Sequence, residues 1–590
     1  MKKNFVRTRW FFTMLLFVTT MIMPTMMLAE SITPKRPEGE GTAEKPFKIS
    51  NREELYWFAG LVNGTLPSGE KNASANAILM NDITVNEGVL DENKDLVSGS
   101  DFIEWTPVGS ANNTYTGTFD GKGYTISGLY FDHPDADYYV GLFGWIGADG
   151  KISNVGVLDS YFQFGAQGGG VCGVNYGELQ NCSNSSTVIG NKYEGTGGVC
   201  GDNGDNNNKG TVRNCKNTGS VRGKAPLGGV CGNNYGTIKN CFNEGTVSVT
   251  VTSGGIGGVC GINHHYGRIE SCYNTASVSG QYNVGGVCGY DSYYITNCYY
   301  LSGTAAGGID KLDKIGRAEG KSIELFNSGE VAWLLNGKGL GEQVWGQQLG
   351  IDPSPVLGSD YKVIKAAQGD KDANGHYTYW ATFSNLKNDV TLSVPAELDR
   401  TLNVYNATVS GGKLTLTQRS DDQVAKGEGV LLKTNGEYVN AINAKANETN
   451  ELEKASSDLV ATPAEAQIVT ENGYILYRLT YNDAKTKAGL GFYLGVVNNS
   501  SDGTSLKATP GKAYLKVSEN AAKAPSSAAL TRSFVFGGGS ETTGIDGITI
   551  MGTDVQRHGT IEGIFDLQGR KISNPTKGIY IKNNKKVIIK

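Results

Sequence analysis

Short apolar stretches separated by glycine, asparagine and polar residues fill the first half of the chain, and one layout keeps returning. Its clearest copies are GGGVCGVNYGELQNCSNSSTVIG (168–190), GGVCGDNGDNNNKGTVRNCKNTGSVRG (197–223), GGVCGNNYGTIKNCFNEGTV (228–247), GGVCGINHHYGRIESCYNTASVSG (257–280) and GGVCGYDSYYITNCYY (285–300). The first cysteines, Cys172, Cys200, Cys231, Cys260 and Cys288, set a period of roughly 30 residues, within the range of solenoids. Each copy reads as three short strands, such as Val230–Gly232, Thr237–Cys241 and Thr246–Val249. Glycine and asparagine are read as the corners, where positive φ costs little. Two copies without cysteine come first, VGLFGWIGADGKISNVGV (140–157) and YTGTFDGKGYTISGLYF (115–131). Length varies in one turn, as at GDNGDNNNKG (201–210), which fits one rung per copy. The pattern predicts an all-β chain whose first half is a parallel β-helix. Each coil bonds to its neighbours at a rise of about 4.8 Å, and Val and Ile columns form the core.

The pattern changes on both sides of the repeat. Over Ser50–Gly64, Leu55, Phe58, Ala59 and Val62 share a helical face, and Ser50 with Glu53 reads as a capping box. This helix is expected to cover the N-terminal edge of the solenoid, which would otherwise invite strand pairing. Ser322–Gly337 reads as short helices, and Val344–Leu357, with Trp345 and Pro353, is expected to close the other end. From Ser359 cysteine disappears and alternating strands begin, including YTYWATF (377–383), GVLLK (429–433), YILYRL (474–479) and KAYLKV (512–517). They predict a β-sandwich. A Gly-rich link (534–548) leads to a last set of short strands. The expected division is 1–29 leader, 30–110 capping helix and first strands, 111–303 repeats, 304–358 helical cap, 359–540 sandwich and 541–590 terminal unit.

The consensus GGVCGxNxGxIxNCxNxGxV resembles the GLUG motif from about Tyr139 to Tyr300. Gly141-Leu142-Phe143-Gly144 is close to that family's basic form, and later copies carry a Val-Cys variant. The resemblance implies an exported bacterial surface protein of adhesin type. In some relatives the repeat accompanies an immunoglobulin-cleaving metalloprotease. The C-terminal residues Asp566-Leu567-Gln568-Gly569-Arg570, Lys577-Gly578-Ile579-Tyr580-Ile581 and Lys585–Lys590 resemble a type IX secretion sorting domain. That likeness implies passage across an outer membrane, with the secretion machinery as a partner.

Composition narrows the picture. Gly is 82 of 590 residues, about twice ordinary usage, which favours strands and tight turns over helices. A net charge of −5 with 19% charged residues does not mark a nucleic-acid binder. Lys2, Lys3, Arg7 and Arg9 precede the apolar run Trp10–Leu28, and Ala29 fits a cleavage site, so a signal peptide is expected. No Cys follows it to carry a lipid, and no later stretch is apolar and long enough to cross a bilayer. The expected location is secreted or outer cell surface.

Candidate chemistry is sparse. All 10 cysteines lie in the repeat: Cys172, Cys182, Cys200, Cys215, Cys231, Cys241, Cys260, Cys272, Cys288 and Cys298. No CxxC pair occurs, which argues against zinc, and nothing local would activate a thiolate. Two structural readings stay open. One is an in-rung disulfide (Cys172–Cys182, Cys200–Cys215, Cys231–Cys241, Cys260–Cys272, Cys288–Cys298), favoured by export and the even count. The other is stacked apolar thiols. The degenerate copy has Phe143 and Val155 at these places, so the two positions change together. The five histidines form no HExxH, and neither GxSxG nor a P-loop occurs. His264-His265 reads as a solvated turn. Trp105, Tyr115, Tyr124, Tyr138 and Tyr139 read as packing and surface aromatics, with a sugar-binding face as the alternative. Asp120, Lys122, Arg213 and Arg268 are the residues a lyase or hydrolase could use. The expectation is a non-enzymatic protein without cofactor or metal that binds an extracellular glycan or matrix protein. The alternatives are a carbohydrate-active β-helix enzyme and a pure scaffold.

Overall fold

The computed structural model describes residues 32–589 except 99–100, 136, 225, 251–253, 292–293, 340–342, 373, 396–398, 444–451, 482–489, 496–502, 524–532, 536–548, 552–563, 566–570, 573–577 and 583–584. The leader and the Asp566–Arg570 motif lie outside the described residues. The first half is a right-through parallel β-solenoid of about eight turns. Each full rung carries five short strands rather than three. In the Cys231 rung they are Cys231–Asn234, Thr237–Lys239, Phe242–Asn243, Val247–Val249 and Ile256–Gly257. Stacking them yields five parallel sheets of nine, six, five, six and nine strands. The two-residue strands escape sequence reading because neither Phe-Asn nor Ile-Gly carries an alternation long enough to count.

Register is fixed residue by residue. Leu179, Val212, Ile238, Ile269 and Ile295 stack in one column, all essentially without solvent exposure. Asparagines do two different jobs. Asn154, Asn181, Asn214, Asn240 and Asn297 hold a corner at φ 53°, as expected. The others point inward and form ladders. Asn175, Asn203, Asn234 and Asn263 each donate Nδ2 to the oxygen of the next rung, ending on Asp291, at 2.9, 2.8, 2.7 and 2.9 Å. Asn184, Asn217, Asn243 and Asn274 form a second ladder at 2.9, 2.8 and 2.7 Å. Each amide uses both its donor and its acceptor, so the polar groups can sit in the core. The Gly-Gly pair is needed here: a Cβ on Gly229 would lie 2.1 Å from the carbonyl oxygen of Gly258 and 2.3 Å from Cγ of Asn243.

Helix α1 (Arg52–Asn63) covers the N-terminal end, burying Leu55, Trp57, Phe58, Ala59, Leu61 and Val62. Its cap sits one residue later than the sequence reading. Asn51 accepts from the amide of Glu54, and the Glu54 carboxylate accepts from the amide of Ser50 at 2.8 Å. The other end is closed differently from expectation. The loop at 305–321 does it: Ile309 bridges Cys288, and Ala318–Lys321 pairs in parallel with Cys298–Leu301. Helices α2 (Ile323–Asn327) and α3 (Glu330–Leu335) instead lie against the side of the solenoid. They pack with Trp345 on Phe242, Tyr273 and Tyr299, an aromatic column in register on one face. Only these last rungs carry aromatics in that column; the preceding rungs have Ser183 and Lys216. The column therefore sets where this clasp docks.

Beyond the clasp the sheets are antiparallel. A central six-stranded sheet includes Tyr377–Ser384, Leu402–Ser410, Lys413–Gln418 and Gly429–Thr434. One of its faces packs on a four-stranded sheet through Phe383, Val430, Leu432 and Val439. The other packs on a five-stranded sheet through Trp380, Tyr405, Leu431, Tyr477 and Leu515. The expected two-layer sandwich is thus three layers sharing a middle sheet. The continuous run Val430-Leu431-Leu432 reflects burial on both faces. The C-terminal strands Ile564–Phe565, Lys571–Ile572, Gly578–Lys582 and Lys585–Ile589 form a small antiparallel sheet.

Candidate functional site

The two cysteine columns belong to the core, not to a reactive site. Cys172, Cys200, Cys231, Cys260 and Cys288 stack in register, with Phe143 below them. In the other column the amide of Cys182 donates to Sγ of Cys215 at 3.4 Å. Cys215, Cys241 and Cys272 repeat this toward Cys241, Cys272 and Cys298 at 3.4, 3.3 and 3.5 Å. All ten thiols are free and buried, so the in-rung bridges are absent from this structure. The reason is geometric. Each sulfur lies along its own column and its S–H reaches a carbonyl two residues away, as Cys231 does to Asn233 at 3.0 Å and Cys272 to Glu270 at 3.2 Å. Burial raises the thiols of Cys200, Cys231 and Cys260 well above the ordinary range, which keeps them protonated and inert.

The other sequence candidates scatter. Trp105 and Tyr115 are fully buried, donating to the carbonyls of Gly141 at 3.0 Å and Ala75 at 2.9 Å. Asp120 pairs with Lys122 at 2.9 Å, and Arg213 with Glu178 at 2.6 Å. Asp120 and Arg213 share an outward column but stand three rungs apart, about 14 Å at the sheet spacing. Arg268 occupies the column two residues away and lies over the Tyr294 ring. His264 stacks flat on Tyr235 with centroids 4.0 Å apart, while His265 faces Tyr266. Among the described residues no three His, Cys, Asp or Glu side chains are grouped to hold a metal.

A different set does converge. In the strands that begin at each first cysteine, the cysteine and the ladder asparagine point inward, and the residue between them faces out. That outward column reads Trp145, Val174, Asp202, Asn233, Ile262 and Tyr290. The residue after each ladder asparagine forms a second column: Tyr176, Gly204, Tyr235 and His264, each amide bonded to the rung before. Tyr139 joins from the preceding corner. Tyr139 and Trp145 meet edge to face at 4.5 Å, and Trp145 meets Tyr176 at 5.4 Å and 90°. All of these rings are partly exposed. The indole Nε1 of Trp145 is buried without a hydrogen-bond partner.

Carboxyl groups sit beside this stripe. Asn233 donates to Oδ1 of Asp202 at 2.9 Å and accepts at His264 Nε2, 3.1 Å away. Burial pushes Asp202 up to about 8, outweighing the Asn233 hydrogen bond, and Cys231 and Glu194 add to the rise. Asp202 is therefore largely protonated at neutral pH and able to donate. Glu194 is held by Gln167 at 3.2 Å. Asp205 accepts from the Tyr176 hydroxyl at 2.8 Å and from the amides of Asn207 and Asn208. Although burial opposes it, the Asn208 amide and Tyr176 hold Asp205 below its ordinary value. The loop at 201–210, visible in the sequence only as a length variation, places Asp205 there. The stripe was missed because its signal is weak: an aromatic after the ladder asparagine in three rungs, Tyr176, Tyr235 and His264.

No protein-family model matches the chain. A stretch of 160 residues is 30% identical to halomucin of Haloquadratum walsbyi, covering 27% of this chain and 2% of that protein. Another of 82 residues is 37% identical to a protein of Evansella cellulosilytica provisionally named as a Gly-rich membrane protein, covering 13% and 9%. The chain thus spans only a small fraction of the curated relatives it matches. A crystal structure from Bacteroides ovatus, provisionally described as an immunoglobulin A1 protease, overlaps 55% of this chain and 95% of that one. Its TM-score is 0.38 and its identity 22%. At that level the overlap says nothing about activity.

Proposed function

We propose that this is an exported, cell-surface or secreted β-helix protein that binds a glycan along the Tyr139–His264 stripe without transforming it. The observation carrying the reading is the partly exposed aromatic ladder Tyr139, Trp145, Tyr176 and Tyr235, edged by Asp202, Asn233 and Asp205. Aromatic faces take the C–H faces of sugars, and flanking carboxyl and amide groups take their hydroxyls. The rung spacing of about 4.8 Å is close to the length of one hexose in an extended chain, so successive rungs can meet successive sugars. The names of the halomucin and membrane-protein relatives support a surface location. The resemblance of the repeat to GLUG proteins, and of the last residues to a type IX sorting domain, supports the export route. A glycan array tests the binding claim: wild type should bind a defined set that Trp145→Ala and Tyr176→Ala each lose. Equal binding by all three would remove the stripe as the site. Deleting 564–590 should leave the protein in the periplasm, and unchanged surface display would refute the sorting role.

Catalysis is the second reading, favoured by a protonated Asp202 near Glu194, the acid-and-carboxylate pairing glycosidases use. Cleavage of a bound glycan that Asp202→Asn abolishes while binding persists would establish it; binding without turnover supports the first reading.

A further inference from the structure

A second concavity lies far along the chain, between the central sheet and the outer five-stranded sheet. It encloses about 290 Å³, and its walls include Trp380, Thr382, Thr462, Arg478, Lys512 and Tyr514. The strand pattern places the cations. Lys512 stands two residues before Tyr514, and Arg478 pairs in register with Tyr514, so all three share one face of the sheet. Leu515, Ile475 and Tyr477 alternate to the other face and fill the core. The main chain of Lys512 is pinned: its amide donates to Oγ1 of Thr462 at 3.2 Å, and its carbonyl accepts from Ser384 at 2.5 Å.

The charges in this cavity are unbalanced. No Asp or Glu is among the described residues lining it. Neither the Lys512 ammonium nor the Arg478 guanidinium has an anionic partner among the described residues. Other cations of the same region are matched. Lys365 reaches Glu330 and Glu437 at 2.9 Å, Arg419 reaches Glu428 at 2.7 Å, and Lys516 reaches Glu471 at 3.0 Å. Burial lowers Lys512 to about 8, the mark of a cation removed from water without compensation. Such a group costs stability unless an anion arrives to share the site.

We infer that this cavity recognises an acidic sugar unit, whose carboxylate is held between Lys512 and Arg478 and whose hydroxyls meet Thr382 and Thr462. The volume admits a single ring, and Tyr514 and Trp380 supply an apolar wall. This site is independent of the solenoid stripe. Calorimetric titration of the full chain at pH 7 with D-glucuronate, D-glucose and inorganic sulfate tests it. Glucuronate should bind saturably and glucose at least tenfold more weakly. Lys512→Gln and Arg478→Gln should each weaken glucuronate at least tenfold, and Trp145→Ala should leave it unchanged. Arg478 is exposed, so its variant reads the site even if the Lys512 variant folds poorly. Sulfate binding as tight as glucuronate would overturn the sugar-acid assignment. Unaltered affinity in Arg478→Gln, or loss of affinity in Trp145→Ala, would overturn the cavity itself.

Discussion

An asparagine in the centre of an amide ladder serves two neighbours at once. Asn234 accepts from Asn203 and donates to Asn263, at 2.8 and 2.7 Å. Replacing it by Leu keeps the volume but strands a donor below and an acceptor above, each costing about 1–3 kcal/mol when buried. Asn234→Leu should therefore lose about 3 kcal/mol in urea unfolding, whereas Ile238→Val one strand later should lose about 1 kcal/mol. Asp202 gives a residue-scale pH test. Its folded value of about 8 lies above the unfolded 3.8, so the folded state holds a proton that the unfolded chain releases. Its contribution to stability falls as pH rises from about 4 to about 8, then levels off. The groups facing it are Glu194, Gln167, Asn233 and Cys231. Asp202→Asn should flatten the decline in melting temperature across that window; an unchanged profile would place the cause elsewhere. Residue identity alone hid some of this. An asparagine at a corner and one in a ladder are the same letter, and only register separates Asn240 from Asn243.

At the scale of elements, what the sequence made legible was whatever carried a period. The 30-residue return fixed the parallel β-helix, and the i, i+3, i+4 face of Leu55, Phe58, Ala59 and Val62 fixed α1. The clasp was legible as helices but not in position, because its docking depends on Phe242, Tyr273 and Tyr299. These lie far apart in sequence and meet only once the rungs stack. Tyr273 is central to that contact, with its hydroxyl donating to the carbonyl of Pro355 at 2.7 Å and its ring against Phe326 and Trp345. Tyr273→Ala should weaken the clasp by about 3 kcal/mol. Hydrogen exchange should rise across 322–358 while amides of the rung cores keep their protection. Equal loosening of both would mean that the clasp and the solenoid unfold as one unit. The stripe escaped notice for the same reason as the clasp: Tyr139, Trp145, Asp202 and Tyr235 are neighbours only through register.

For the whole molecule, the solenoid is quasi-one-dimensional, each rung touching only those above and below it apart from the end covers and the clasp. That predicts tolerance to loss of one complete rung and intolerance to loss of part of one. Gly169 pairs with Gly197, and Gly197 with Gly228. Removing 197–227 therefore joins Thr196 to Gly228 and brings Gly169 opposite Gly228, Cys172 opposite Cys231 and Asn175 opposite Asn234. Both amide ladders, both thiol columns and the aliphatic columns close up by one step. The clasp is spared because Phe242, Tyr273 and Tyr299 all remain. The loss outside the rung is the exposed Arg222–Asp95 ion pair, 2.7 Å long, a contact of a kind worth little. The shortened chain should unfold in a single cooperative transition with a smaller urea m-value, since less surface is exposed on unfolding. Removing only 197–211 would set inward asparagines and thiols against outward polar residues, and that chain should not fold. If the whole-rung deletion also failed, nearest-neighbour stacking would not be what holds the solenoid together, and contacts spanning several rungs would have to supply its stability.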